Sequence, residues 1–389
     1  MARQAATVKS LTYTPCVPPP LPKVLTVFGT RPEAVKLGPV ILELARHADR
    51  VTSRVCVTAQ HRDMLDQVLH AFGILPDFDL DIMQANQTPS QVAAAVLARL
   101  EPILRDERPD WVLVQGDTTT VAAAALGAFY ARCRVGHVEA GLRTGDRWQP
   151  FPEEINRRVA GVIADRHFAP TPRARDNLLR EDVAAERILV TGNTSIDALR
   201  WITAQPESAE IRELLRESPE ARVILVTAHR RENFGEPLRE ICLALRELAE
   251  RYAGGVRIVY PVHRNPNVWG PVHELLGGVP NITLRPPLDY LPNLQLMKRA
   301  YLVITDSGGI QEEAPGLGIP ALVLREVTER PEGVATGALR IVGTDRARIV
   351  AEARRLLDDR AAYDRMAQAE NPFGDGHAAE RIVASILAG

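Results

Sequence analysis

Residues 302–313 of this 389-residue chain read LVITDSGGIQEE. The apolar run predicts a buried strand, and the Ser-Gly-Gly turn after it predicts the start of a helix. Such a turn points free backbone N–H groups, and the positive end of the helix dipole, at whatever lies above the end of the strand. Because Gly308 and Gly309 have no Cβ atoms, a diphosphate fits against the backbone there. Glu313 is then placed to accept the two hydroxyls of a ribose.

We therefore expect the ligand to be a nucleoside diphosphate or its sugar ester. The alternative is an ordinary glycine turn in which Glu312 and Glu313 only complement the helix dipole. For an isolated strand, glycine pair and helix, that alternative is the better interpretation. Support for a binding site must therefore come from the rest of the chain.

Short apolar runs alternate with amphipathic stretches of helical length from residue 23 onward. This alternation is typical of parallel sheets with helices on both faces. The predicted strands are residues 24–27, 54–58, 111–115, 135–138, 167–169 and 188–191 in the first half, and 223–227, 257–261, 282–284, 301–305, 321–324 and 339–342 in the second. The clearest predicted helices are 92–104, 119–130, 238–252 and 349–358. We expect an α/β protein whose two doubly wound, Rossmann-like domains face each other across a cleft.

The length of the chain predicts two domains, because a single core rarely grows this large. We place the N-terminal Rossmann-like domain at residues 23–195 and the C-terminal Rossmann-like domain at residues 196–370. Residues 1–22 end in the sequence PCVPPPLP and are expected to form a flexible tail. Residues 371–389 predict a C-terminal helix that can pack back on the N-terminal domain.

The composition is that of an ordinary soluble globular protein, with 46% hydrophobic and 25% charged residues. A formal net charge of −2 gives no reason to expect a nucleic acid or an anionic membrane as partner. The four cysteines are far apart, which argues against a zinc site and a disulfide framework and favours a reducing cytoplasm. We see no apolar run long enough to span a bilayer and no secretion signal. The expected localisation is cytoplasmic.

Polar side chains follow nearly every predicted strand at its carboxyl end. In doubly wound sheets the ligand lies outside these ends, where several loops converge. The candidates lie at residues 29–36, 60–62, 116–117, 139, 229–233, 263–265 and 307–309. Random loops would also be polar, but they would not so regularly carry His, Arg or carboxylate groups directly after a strand. One composite site is therefore the better interpretation.

At these positions the chain resembles the non-hydrolysing UDP-N-acetylglucosamine 2-epimerases, bacterial-type enzymes with the two-domain architecture called GT-B. The matching motifs are FGTRPEAVK (28–36), GDTTT (116–120), GHVEAGLRT (136–144), PEEINR (152–157), GNT (192–194), AHRREN (228–233), DSGGIQEE (306–313) and TERPE (328–332). One such motif would be a weak signal. Eight motifs in the family order, from about residue 23 to residue 345, are a strong one.

The resemblance implies reversible conversion of UDP-N-acetylglucosamine to UDP-N-acetylmannosamine, for cell-surface polysaccharide precursors, with no metal and no cofactor. It also implies a homodimer and UDP binding by the C-terminal domain at residues 196–370. In the family mechanism, UDP is eliminated to give 2-acetamidoglucal and is then added back, with the proton returned to the opposite face of C2. Such a reaction needs cations for the diphosphate, carboxylates near C1 and C2, and exclusion of water.

The resemblance also implies roles for individual residues. The catalytic residues carried over are Asp117, Glu139, Glu153 and His229. The substrate-binding residues carried over are Arg31, Lys36, Asp117, Glu139, His229, Ser307, Gly308, Gly309, Glu313 and Arg330. Which carboxylate takes the C2 proton stays open at this stage. Clustered carboxylates raise one another's pKa, so one of them can serve as acid while another serves as base.

Several of these residues also have purely structural interpretations. Asp117 could cap the helix predicted at 119–130, and Glu153 could be stabilised by the dipole at a helix start. His229 could orient its own loop, and Arg31 could pair with Glu33. Arg31 and His229 each follow a predicted strand, which favours function over these alternatives.

Some members of the family bind a second UDP-N-acetylglucosamine as an activator. The residues that resemble this allosteric set are Gln60, Gln87, Arg230 and His263. Asp63 and Asn86 stand where the pattern has glutamine and arginine, so activation is an open hypothesis. Asn293 stands where many relatives carry a phenylalanine close to the uracil.

Three other functions compete with epimerisation. A hydrolysing epimerase shares the fold and the elimination but releases UDP, although the loop at residues 29–33 resembles the non-hydrolysing form. A glycosyltransferase of the GT-B architecture would need an acceptor site. A catalytically inactive UDP-sugar sensor would have no use for the carboxylates.

Overall fold

The computed structural model describes residues 21–58, 62–84, 87–216, 219–328 and 330–389. For residues 62–64 it describes the backbone only. Within these residues the strands form two parallel sheets. The first sheet contains β1 (Lys23–Phe28), β2 (Thr52–Val57), β3 (Phe78–Asp79), β4 (Trp111–Gln115), β5 (Arg134–Val138), β6 (Arg166–Ala169) and β7 (Ile188–Val190). The second contains β8 (Arg222–Thr227), β9 (Val256–Pro261), β10 (Ile282–Arg285), β11 (Ala300–Thr305), β12 (Ala321–Val323) and β13 (Leu339–Ile341).

Helices connect the strands and cover both faces of each sheet. In the first half they are α1 (Arg31–Arg46), α2 (Arg62–Phe72), α3 (Pro89–Glu107), α4 (Thr119–Tyr130), α5 (Glu153–Ile163), α6 (Pro172–Arg180), α7 (Thr194–Thr203) and α8 (Ala209–Leu215). In the second half they are α9 (Glu236–Arg251), α10 (Pro266–Leu276), α11 (Tyr290–Arg299), α12 (Gly308–Gly316), α13 (Pro331–Ala335), α14 (Arg346–Asp358), α15 (Arg360–Ala367) and α16 (Ala378–Leu387). The predicted fold, two Rossmann-like sheets in the GT-B architecture, is confirmed.

The strand order reverses once in each sheet. The first sheet has the order β3-β2-β1-β4-β5-β6-β7, and the second has the order β10-β9-β8-β11-β12-β13. The reversal therefore falls between β1 and β4 in the first sheet and between β8 and β11 in the second. Loops diverge at such points and leave a crevice at the carboxyl ends of the strands. The motifs at residues 29–36, 116–120, 228–233 and 306–313 follow these four strands.

Alternate residues of the central strands face two different layers of the core. In β1, Val24 and Phe28 pack in one buried cluster, whereas Leu25 and Val27 pack in another. Strand β8 divides its side chains in the same way. The cluster that holds Val24 also holds Val223 of β8, so one apolar layer is shared between the two sheets. This layer fixes how the two halves of the site meet.

The C-terminal helix α16 packs against α1 and α7. Asp197 of α7 accepts hydrogen bonds from the backbone N–H groups of Ala378 (3.2 Å) and Ala379 (2.8 Å), which satisfies two donors at the start of α16. These contacts agree with a C-terminal helix that returns to the first half of the chain. The domain boundaries themselves stay predictions, and residues 1–20, most of the predicted tail, lie outside the described residues.

No helix in the described part of the chain is long and apolar enough to cross a membrane.

Candidate active site

The loop between β1 and α1 is held by the buried carboxylate of Glu33. Its oxygens accept hydrogen bonds from the backbone N–H groups of Gly29 (3.0 Å) and Thr30 (2.6 Å) and from the hydroxyl of Thr118 (2.8 Å). Glu33 therefore ties the loop after β1 to the loop after β4. The sequence also allowed a pair between Arg31 and Glu33. The guanidinium of Arg31 instead lies 5.4 Å from the ring centroid of Tyr290 in the second half.

Glu139 connects several parts of the site. It directly follows β5 in a left-handed backbone conformation with φ of 64°, which is uncommon for a residue with a side chain. Its carboxylate pairs with Lys36 of α1 and accepts a hydrogen bond from Gln115 at the end of β4. The side-chain amide of Asn193 donates to it as well, at 3.2 Å. The negative charge of the buried Glu139 carboxylate is thus compensated by one cation and two neutral hydrogen-bond donors.

Asp117 pairs with Arg157 of α5. Helix α4 is capped by Thr118, whose hydroxyl accepts the backbone N–H of Val121 at 3.3 Å. Thr118, and not Asp117, is therefore the helix cap. Glu153 begins α5 one turn before Arg157, as the sequence predicts, and one of its buried carboxylate oxygens has no hydrogen-bond partner among the described residues.

His137 supports the turn that carries Asp117. The imidazole is 1% exposed, and its Nε2 lies 2.7 Å from the carbonyl oxygen of Gly116. Burial lowers the pKa of His137 to about 4, against the opposite effect of that carbonyl bond. The ring is consequently neutral near pH 7, and Nε2 carries the hydrogen because it faces a carbonyl acceptor.

In the second half, the fully buried carboxylate of Asp306 organises the loop after β8. One oxygen accepts the backbone N–H groups of His229 (2.7 Å) and Arg230 (2.8 Å) and the side-chain amide of Asn233 (3.0 Å). The His229 ring stacks on His263 with centroids 5.4 Å apart. The pKa of His229 lies below its ordinary value. Burial and the charges of His263 and Arg230 lower it, and together they outweigh the opposite effect of Asp306.

The Ser307 turn lies between two arginines. A Cβ atom placed on Gly308 would lie 3.7 Å from a terminal nitrogen of Arg230 and 3.9 Å from one of Arg330. A Cβ on Gly309 would meet no described atom within 4 Å. The turn is therefore open to a ligand and flanked by positive charge at the N-terminus of α12, an arrangement that suits a phosphate group.

The two adjacent glutamates of α12 have different environments. Glu313 accepts a hydrogen bond from the hydroxyl of Tyr290 at 3.2 Å, and burial together with the charge of Glu312 raises its pKa to about 7. Glu312 pairs instead with Arg330 at 2.6 Å and lies 3.9 Å from Lys36. The repulsion expected between clustered carboxylates is therefore present between Glu312 and Glu313.

A cleft of about 590 Å³ runs between the two halves of the chain. Its lining includes the predicted site residues Arg31, Lys36, His229, Ser307, Gly309, Glu313 and Arg330, together with Asn293, Tyr290 and Glu312. Asp117, Glu139 and Glu153, which the sequence also predicts, are not among the residues that line this cleft. Glu139 contacts the cleft through Lys36, whereas Asp117 and Glu153 are connected to each other through α5.

Two of the predicted allosteric residues, Arg230 and His263, lie at the cleft. His263 lines the cleft beside His229, and Arg230 lies by the Ser307 turn. Gln87 instead bonds the backbone of its own loop, donating to the carbonyl of Ile82 at 2.7 Å. Gln60 lies outside the described residues. Among the described residues, no group of three or more His, Cys, Asp or Glu side chains has the geometry of a metal site.

Sequence reasoning missed several residues that shape this site. They are Gln115, His137, Arg157, Asn193, Asp306, Glu312 and Tyr290. All except Gln115 and Tyr290 lie inside the quoted motifs, so a signal for them was present. Gln115 ends a predicted strand directly before one of those motifs.

Comparisons with known proteins agree with these motifs. The family model described as UDP-N-acetylglucosamine 2-epimerase matches residues 43–387. The UDP-N-acetylglucosamine 2-epimerase of Salmonella typhimurium is 54% identical over 372 residues, covering 94% of this chain and 98% of that protein.

Two solved structures are similar over the same span. The UDP-GlcNAc 2-epimerase of Neisseria meningitidis bound to UDP-GlcNAc has a TM-score of 0.84 at 48% identity, covering 94% of this chain and 100% of that one. The MnaA–UDP structure from S. aureus has a TM-score of 0.82 at 45% identity, covering 94% and 96%. This chain therefore belongs to the UDP-N-acetylglucosamine 2-epimerase family.

Proposed function

We propose that the chain interconverts UDP-N-acetylglucosamine and UDP-N-acetylmannosamine without hydrolysing them. The family membership supports the substrate, since the Neisseria meningitidis relative is bound to UDP-GlcNAc and the S. aureus relative to UDP. The observation that carries the proposal is the ion pair between Lys36 and Glu139. It places a cation of the cleft in direct contact with a carboxylate, so a diphosphate and a proton acceptor can lie next to each other.

The order of bond breaking follows from the chemistry of the sugar. The hydrogen on C2 is not acidic, because C2 bears an acetamido nitrogen and has no neighbouring carbonyl. As the C1–O bond to UDP breaks, positive charge develops on C1 and makes that hydrogen acidic. A carboxylate takes the proton, and the electrons of the C2–H bond form the C1=C2 double bond of 2-acetamidoglucal. UDP then adds back to C1 while C2 receives a proton on its opposite face.

The described residues can be assigned to these steps. We assign the diphosphate to Arg31, Lys36, His229, Arg330 and the Ser307 turn, where cations and free N–H groups surround the cleft.

For the sugar and the ribose, we assign proton transfer and charge stabilisation at C1 and C2 to Asp117, Glu139 and Glu153. We assign the ribose hydroxyls to Glu313. One oxygen of its carboxylate accepts the hydroxyl of Tyr290.

The test is incubation with UDP-N-acetylglucosamine in deuterated water, followed by NMR. Epimerisation predicts deuterium at C2 while UDP remains attached to the sugar. Free UDP formed in step with released N-acetylmannosamine would indicate the hydrolysing reaction instead. Absence of exchange in folded protein that binds UDP would leave a transferase or a sensor and would refute the proposal.

Three further expectations accompany this function. We expect a homodimer, no metal or organic cofactor, and a cytoplasmic role in making polysaccharide precursors. Sedimentation and chelator treatment test the first two. Activation by a second UDP-N-acetylglucosamine stays a prediction, and a sigmoidal dependence of rate on substrate would support it.

A further inference from the structure

Glu312 is a buried carboxylate that neither the motif chemistry nor the proposed mechanism uses. Its side chain is 4% exposed. One oxygen accepts a hydrogen bond from Nε of Arg330 at 2.6 Å. The other accepts from the amide of Asn193 at 3.2 Å and the hydroxyl of Ser195 at 3.4 Å, and lies 3.9 Å from the ammonium of Lys36. Both oxygens are thus fully engaged inside the cleft.

The partners of Glu312 come from both halves of the chain. Lys36 belongs to α1 beside the first sheet, Asn193 lies between β7 and α7, and Arg330 precedes α13 beside the second sheet. Two of these partners also contact Glu139, since Lys36 pairs with it and Asn193 donates to it at 3.2 Å. Glu139 and Glu312 therefore share one ammonium and one amide across the cleft.

The charges of this cluster create a competition. Lys36 and Arg330 are two of the cations that the proposed function assigns to the diphosphate of the substrate. Without substrate, Glu312 places a negative charge beside both of these cations. A diphosphate that enters the cleft must share or displace that charge, so the same carboxylate that arranges the cations also weakens their attraction for the ligand.

We propose that Glu312 is a positioning residue that joins the two halves of the active site and, as an internal counter-ion, trades affinity for the diphosphate against turnover. The inference rests on the proposed function. The proposed role predicts tighter UDP binding together with slower turnover, whereas a loss of folding would weaken both. Removing the charge should strengthen UDP binding. Loosening Lys36 and Asn193 should disturb Glu139, one of the three carboxylates assigned to proton transfer and charge stabilisation at C1 and C2.

The test compares Glu312→Gln with the wild-type chain in two assays at pH 8. Calorimetric titration with UDP measures the Kd without any reaction. NMR exchange at C2 in deuterated water measures kcat. The amide of the variant keeps the size of the carboxylate and loses its charge. We expect a Kd for UDP that is lower by up to about tenfold, and a kcat that is lower by about 10- to 100-fold.

Neighbouring variants serve as controls. Glu313→Gln changes the adjacent residue of the same helix, which we assign to the ribose, and should raise the Kd for UDP. Glu236→Gln removes an exposed carboxylate at the start of α9 and should leave both quantities unchanged. Glu312→Asp keeps the charge on a shorter side chain, so it should keep the wild-type Kd but show the lower kcat.

Each outcome decides the inference. A tighter UDP complex with slower exchange supports it, and recovery of the wild-type Kd in Glu312→Asp assigns the affinity change to charge. A wild-type kcat in Glu312→Gln, or weaker UDP binding in parallel with a lower kcat, refutes it. If the wild-type chain shows no exchange, the proposed function fails; the titrations then decide the counter-ion role, and unchanged or weaker UDP binding refutes it.

Discussion

The carboxyl group of Glu313 makes the stability of the protein depend on pH in a way that one substitution can remove. Its pKa rises from the ordinary value of 4.5 to about 7 because the group is buried and lies beside Glu312. Between these two pH values the folded chain holds a proton that the unfolded chain has lost. The free energy of unfolding therefore falls with rising pH, by about 1.4 kcal/mol for each unit.

The size of this effect follows from the same two values. This destabilisation of the folded state is absent below pH 4.5, grows as the pH rises from 4.5 to about 7, and is complete above pH 7. Across this window the loss amounts to about 3 kcal/mol. Glutamine cannot ionise and retains an oxygen that accepts the hydroxyl of Tyr290. We therefore expect Glu313→Gln to be more stable than wild type at pH 8, and to differ little from it at pH 4.

The assay is urea unfolding followed by circular dichroism at pH 5 and pH 8. From pH 5 to pH 8, the free energy of unfolding should fall by about 2.5 kcal/mol more in wild type than in Glu313→Gln, since pH 5 already lies inside the window. Other titrating groups cancel in this comparison, because both proteins contain them. Glu236→Gln, in the exposed first turn of α9, should keep the wild-type dependence. An identical pH dependence in wild type and Glu313→Gln would mean that Glu313 is already ionised at pH 5, and would refute the reasoning.

The remaining predictions concern the reaction and the fold. Asp117→Asn should abolish exchange at C2 while UDP binding persists in calorimetry; unchanged turnover would remove Asp117 from the catalytic set. His137→Leu loses the donor that supports the carbonyl before Asp117 and should cost about 1–3 kcal/mol in thermal unfolding and slow exchange, whereas His137→Gln should recover part of both; equal losses in the two variants would speak against that hydrogen bond. Asp197→Ala leaves the first amides of α16 without their acceptor and should cost about 1–2 kcal/mol by denaturant titration. Gly141→Ala places a Cβ 2.2 Å from a backbone carbonyl of α6 at a φ of 90°, so its melting temperature should fall well below that of Gly254→Ala, which has a similar φ of 82° and open space.

Most strands were predictable because they contain a short apolar run with polar residues at its end. Strand β11 was predicted at residues 301–305 and spans Ala300–Thr305. Such runs arise wherever a strand is buried on both faces, so the signal is local. Strand β3 (Phe78–Asp79) was missed because two residues at a sheet edge have no such pattern. Its pairing depends on β2, which lies elsewhere in the sequence.

The sequence named many of the residues that line the cleft, but not the contacts between them. The adjacent Glu312 and Glu313 look equivalent in the sequence, and a dipole argument treats them alike. Their difference comes from partners that only packing supplies: Arg330 and Lys36 for the first, Tyr290 for the second. Local spacing contains no information about which distant cation reaches which carboxylate.

The position of Lys36 explains why the two halves of the chain must act together. The ammonium contacts Glu139 of the first half and faces Glu312 of the second. On the proposed function, the Ser307 turn of the second half holds the diphosphate, and Lys36 stabilises the charge that grows on it as the C1–O bond weakens. The ammonium then lies between the leaving group and Glu139, one of the carboxylates assigned to C1 and C2. Contact between the leaving group and Lys36 therefore needs the anion-binding turn of the second half and the ammonium of the first, so neither sheet could provide it alone.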